Sequence, residues 1–110
     1  MRYNKLVRDK IPDIIKHSGK RIRVRRLHDQ DFLNKLNRKL REEVDEYKNA
    51  ITDENRIEEL ADILEVIYHI AKVKGVSRSE LEEIRRNKNE AKGSFNDKWY
   101  LLWVSDEDDI

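Results

Sequence analysis

Residues 41–65 read REEVDEYKNA ITDENRIEEL ADILE, and this stretch decides the fold. It holds two pairs of carboxylates, Glu43/Glu46 and Glu59/Asp62, with three residues from the first acid of each pair to the second. On an α-helix that spacing puts both acids on one face, a turn apart. Between the pairs, Thr52-Asp53 has the character of a helix N-cap entering a second helix. Two helices joined by so short a break lie antiparallel. Glu46 and Glu59 are equidistant from the point between Thr52 and Asp53, and so are Glu43 and Asp62. A hairpin therefore brings four carboxylates together at two adjacent levels. Like charges that close repel strongly unless protonated or bridged by a cation. A hard divalent ion with oxygen ligands answers that need; Mg²⁺ fits best, with Mn²⁺ as a substitute.

The flanking sequence extends both helices. Upstream, Phe32, Leu33, Leu36, Leu40, Val44, Tyr47 and Ile51 recur at steps of three and four, which predicts a helix over residues 31–51 capped by Asp29 or Asp31. Glu43 lies on that apolar stripe, out of place for a purely structural helix. Downstream, residues 53–74 form a helix ending at Gly75. Its apolar residues, from Ile57 to Val73, cover nearly the whole circumference. A helix apolar all round is buried on more than one side, so a second copy of the chain is expected to cover it. Asp62 sits inside this run, where an unpaired carboxylate is costly.

The ends of the chain are read in the same way. Asp9 caps a short helix with Pro12 in its first turn, stopped near Ser18-Gly19. KRIRVRRL over residues 20–27 alternates, with Ile22 and Val24 on one side and Arg21, Arg23 and Arg25 on the other, and predicts a short strand with a basic face. Ser77 or Ser79 caps a fourth helix, with Glu82 and Glu83 in its first turn, that stops at Gly93. Residues 99–104, WYLLWV, are a second candidate strand able to pair with the first. Residues 105–110 are an acidic tail. The expected architecture is mainly α: an antiparallel bundle of about four helices, a small two-stranded β element and completion by oligomerisation. Residues 1–104 form one domain.

Composition excludes several classes. The single Pro and three Gly among 110 residues argue for long helices over a turn-rich β fold. With no Cys there is no disulfide and no thiolate metal site. No apolar run spans a bilayer and no secretory core follows the first residues, so the chain reads as soluble and cytoplasmic. His17, His28 and His69 form no ligand set, and Glu65 with His69, spaced i, i+4, reads as packing. Charge is divided: residues 1–41 carry 14 Lys/Arg and 4 Asp/Glu, residues 42–110 carry 10 and 19. A ligand that is both anionic and metal-bound, a metal-bound phosphate ester, meets both halves, although mutual neutralisation of helix faces also explains the split. The basic strand has no interleaved aromatics, which argues against a nucleic-acid partner.

With these residues placed, the chain resembles the all-α nucleoside triphosphate pyrophosphohydrolases, the MazG-like and phosphoribosyl-ATP pyrophosphohydrolase-like group. The family pattern, Glu-Glu-x-x-Glu then Glu-x-x-Asp, stands here as Glu42-Glu43-Val44-Asp45-Glu46 and Glu59-Leu60-Ala61-Asp62. Asn4-Lys5-Leu6-Val7-Arg8-Asp9-Lys10-Ile11-Pro12 resembles the opening of one subgroup of small proteins, and Lys88 with Lys92-Gly93-Ser94-Phe95 its basic segment after the last helix. The resemblance implies Mg²⁺-dependent cleavage between the α and β phosphates of a nucleotide, in a homodimer or homotetramer. It implies Glu43, Glu46, Glu59 and Asp62 as metal ligands and Glu42 as the residue that orients or deprotonates water. Lys5, Arg8, Lys10, Lys39, Lys88 and Lys92 are candidates for the phosphates. Two alternatives stay open: phosphoribosyl-ATP pyrophosphohydrolase itself, and a non-catalytic helical dimer that binds nucleotides or nucleic acid.

Overall fold

The computed structural model describes residues 4–106. They form four helices: α1 (Ile11–His17), α2 (Asp29–Asn49), α3 (Asp53–Val73) and α4 (Arg78–Lys92). The architecture is mainly α, as expected. The chain divides into two compact units, between Arg78 and Ser79.

In the first unit, α1 starts after Lys10, one residue later than the Asp9 cap expected, with Pro12 in the first turn. Pro is tolerated there because the first-turn N–H groups have no intrahelical partner. The stop falls as read: Gly19 follows with φ +88°, a left-handed conformation that only glycine adopts at little cost.

The hairpin of α2 and α3 is the body of the unit. α2 begins two residues before the expected start; His28 is its N-cap, and Asp29 and Asp31 sit in the first turn without capping by side chain. Their charge still complements the helix N-terminus. Leu36 is buried, Phe32, Leu33, Leu40 and Val44 are half-buried, and Tyr47 and Ile51 lie exposed near the turn. At the turn, the Thr52 hydroxyl accepts the Asn55 N–H at 3.1 Å, the cap expected from the sequence. α3 closes with a Schellman motif: Gly75 N–H donates to Lys72 O at 3.0 Å and Val76 N–H to Ala71 O at 2.9 Å.

α3 is not enclosed. Val66 and Ala71 are buried, while Ile57, Leu60 and Leu64, one helical stripe, are 65%, 43% and 46% exposed. Among the described residues of the first unit, α3 packs against α2, and the Ile57, Leu60 and Leu64 stripe lies outside that contact.

In the second unit, α4 has Glu80 in its first turn rather than Glu82 and Glu83, and no buried residue. Gly93, φ +80°, ends it where expected. Residues 95–104 follow in irregular backbone, with Phe95, Trp99, Leu102 and Trp103 exposed.

Neither expected strand forms among the described residues. The alternation of residues 20–27 is only half realised: Ile22 and Leu27 are half-buried, but Val24 is 58% exposed. A strand exists only as a member of a ladder, so a period-two pattern without a paired partner leaves extended backbone alone. Of the acidic tail, residues 107–110 lie outside the described residues. Among the described residues no helix is long and apolar enough to cross a membrane.

Candidate metal centre

The hairpin turn sets the register of the acids. Three of the four converge: Glu43 and Glu46 from α2 and Glu59 from α3 each place a carboxylate oxygen within 4.8 Å of the others. Glu43 is the deepest, 5% exposed on the stripe that faces α3; Glu59 is half-buried and Glu46 opens to solvent. The cluster is thus closed at its base and open at its mouth.

Its electrostatics are unbalanced. Lys39, one turn before Glu43, reaches its Oε1 at 3.2 Å. Glu43 Oε2 and Glu59 Oε2 are buried and receive no hydrogen bond. A buried carboxylate oxygen without a donor is expensive. Protonation relieves this in the metal-free protein. The Glu59 carboxyl holds its proton up to about 7, first because it hydrogen-bonds the Glu43 carboxylate, then by burial, then through Glu46. A divalent cation relieves it more completely, because one ion satisfies both orphaned oxygens and the repulsion together. The donor set is all oxygen, so it suits a hard ion; among such ions Mg²⁺ typically retains several waters beside one or two carboxylates. Glu43, Glu46 and Glu59 fit that role.

Asp62, the expected fourth ligand, stands apart from this group. Its Oδ1 accepts from Arg8 Nη2 at 2.5 Å, an ion pair that ties the segment before α1 to α3. Both partners are part-exposed, at 60% and 37% of the side chain. Such a pair contributes little to stability and opens easily. Glu42 is half-buried next to Glu43 on α2. Of the basic candidates, Arg8 pairs with Asp62 and Lys39 with Glu43. Lys5 and Lys10 are exposed in the segment before α1. Lys88 and Lys92 are exposed on α4, in the second unit. The Lys39–Glu43 contact was available in the sequence as an i, i+4 pair. The Arg8–Asp62 contact, between residues 54 apart, left no local signal.

A helical hairpin whose facing acids gather at one point defines a site able to hold a cation. Over residues 8–92 the chain matches the family model of phosphoribosyl-ATP pyrophosphohydrolase, and it belongs to this family, within the MazG-like all-α NTP pyrophosphohydrolase superfamily. It is accordingly a pyrophosphohydrolase, an enzyme acting on phosphoric anhydrides. No curated protein and no solved structure matches the chain.

Proposed function

We propose that the protein is a Mg²⁺-dependent pyrophosphohydrolase that cleaves a nucleoside triphosphate or deoxynucleoside triphosphate to the monophosphate and pyrophosphate. One observation supports this above the others: Glu43, Glu46 and Glu59 converge, with two buried carboxylate oxygens that have no protein donor. Mg²⁺, when bound, supplies positive charge against the phosphate oxygens and acidifies nearby water. Mn²⁺ serves as a substitute.

The chain's own groups do the rest. Glu43, Glu46 and Glu59 hold the cation on two rigid helices, which fixes it relative to the substrate. Asp62 joins them once a substrate phosphate competes for Arg8 and frees its carboxylate. Glu42, beside the cluster, orients water and takes its proton. Water oxygen then bonds to phosphorus at the α–β linkage, the linkage P–O bond breaks, and its electron pair leaves with pyrophosphate. Arg8 with Lys5, Lys10, Lys39, Lys88 and Lys92 are the cations that bind the phosphates and neutralise the leaving charge. Residues 1–104 act as one domain. Copies of it pair through the exposed Ile57, Leu60 and Leu64 stripe into a cytoplasmic homodimer or homotetramer.

Phosphoribosyl-ATP as substrate is a second reading, favoured by the description of the matched family. Pyrophosphate release from a panel of NTPs, dNTPs and phosphoribosyl-ATP, with Mg²⁺ or with EDTA, tests both. Release from one or more NTPs that vanishes in EDTA supports the first reading. Release from phosphoribosyl-ATP alone transfers the assignment to the second. Release that survives EDTA refutes the role of the cluster.

A further inference from the structure

Two stretches of this chain are left without partners, and their chemistry is complementary. The first is residues 20–27, KRIRVRRL, between α1 and α2. From Ile14 to His28 the sequence has Lys16, Lys20, Arg21, Arg23, Arg25 and Arg26 and no acid. The last five are exposed, and none of them forms an ion pair among the described residues. Nor do the N–H and C=O groups of residues 20–27 bond to other backbone among the described residues.

The second is residues 99–106, WYLLWVSD, in the second unit. Each of the six residues from Trp99 to Val104 is at least 75% exposed. So long an apolar run on the surface marks an interaction site. The acids Asp106, Glu107, Asp108 and Asp109 follow it, and no Lys or Arg occurs from Trp99 onward. The backbone of residues 99–106 likewise makes no bond to other backbone among the described residues.

Backbone with unpaired donors and acceptors is a template for another extended segment. Both stretches hold residues that favour such pairing: Ile22 and Val24 in one, Trp99, Tyr100, Trp103 and Val104 in the other. Both are eight residues long, roughly 26 Å when extended. One is cationic and the other is apolar with an acidic end. Neither forms a ladder within one chain, but a second copy presents the same two stretches. A two-fold exchange joins them twice. RNA suits the basic stretch less well, because the aromatic rings that would stack on bases lie in the stretch whose acids repel phosphate.

We infer that residues 99–106 of one copy dock along residues 20–27 of a second copy, and reciprocally. The apolar side chains cover Ile22 and Val24, and the cations neutralise the acidic end. This surface needs no cation in the carboxylate cluster and is separate from the Ile57, Leu60 and Leu64 stripe.

The full chain tests this directly, because it has no Cys and its two tryptophans are Trp99 and Trp103. Chains carrying Val24→Cys are mixed with chains carrying Leu102→Cys and treated with a short bismaleimide. A mixed cross-linked dimer is expected by mass. Tryptophan emission of the wild type should shift to the blue with rising concentration and return when salt is raised. Arg23→Glu with Arg25→Glu should weaken self-association roughly tenfold or more at an unchanged circular dichroism spectrum, since both side chains are exposed. Leu60→Asp, on the α3 stripe, should leave the mixed cross-link in place. Absence of the mixed dimer, its persistence at full yield with the two arginines reversed, or its loss in Leu60→Asp overturns the proposal. So does a link that forms only within one chain when both cysteines are placed in it. A wild type monomeric at every concentration that binds RNA in low salt, and loses it on reversal of the two arginines, assigns the basic stretch to nucleic acid instead.

Discussion

Cation binding to this protein should be coupled to proton release near neutrality, and the coupling resides in Glu59. Its carboxyl keeps a proton up to about 7 because the Glu43 carboxylate shares it, with burial and Glu46 acting in the same direction. A cation at Glu43, Glu46 and Glu59 must displace that proton. At pH 6 the group is about 90% protonated and at pH 8 about 10%, so roughly 0.9 proton leaves per ion at pH 6 and roughly 0.1 at pH 8. The apparent Mg²⁺ affinity should rise about tenfold from pH 6 to pH 8 and level off above. The metal-free protein follows the opposite trend. A carboxyl raised from its usual value contributes stability that is full below about 4.5 and is lost as pH rises through about 7. The melting temperature in EDTA should therefore decline across that window, and Mg²⁺ should restore it above pH 7. Calorimetry in two buffers of different ionisation enthalpy measures the released protons directly. Glu59→Gln should abolish the proton release and flatten the melting curve against pH. A wild-type Mg²⁺ affinity independent of pH between 5.5 and 8.5 would falsify the shared-proton picture.

Other substitutions probe separate links. Glu43→Gln and Asp62→Asn should each abolish pyrophosphate release with an unchanged circular dichroism spectrum; normal turnover in either removes that residue from the ligand set. Leu36, 3% exposed at the hairpin contact, should cost about 2–5 kcal/mol as Leu36→Ala in urea unfolding. Thr52→Ala removes the acceptor for the Asn55 N–H and should cost about 1 kcal/mol, measured in the same way. Arg8→Ala breaks an exposed pair, so stability should fall by less than about 1 kcal/mol while KM for the nucleotide rises; an unchanged KM separates Arg8 from the phosphates.

The elements legible in the sequence are those set by short-range geometry. The helical period, the Thr52 cap and the glycine stops at positions 19, 75 and 93 depend on bonds within one turn, and each falls where the residues place it. The meeting of Glu43, Glu46 and Glu59 was also legible, because a three-residue turn converts distance along the chain into level across the hairpin. Residues 20–27 and 99–104 misled because a strand is a property of a pair of segments, and alternation in one segment cannot supply its partner. Asp62 shows the same limit in charge. Its spacing from Glu59 places it one turn along, but an arginine 54 residues away takes its carboxylate. Such a choice among partners turns on about 1 kcal/mol at a part-exposed pair, too little to leave a pattern in the sequence. Arg78 likewise meets the Tyr68 ring only when the Gly75 reversal returns the chain to the helix it has just left. Periodicity and local caps thus determine which helices form and which faces carry acids. The approach of segments remote in sequence decides which acids remain unpaired, because desolvation and ion pairing depend on the neighbours that folding supplies.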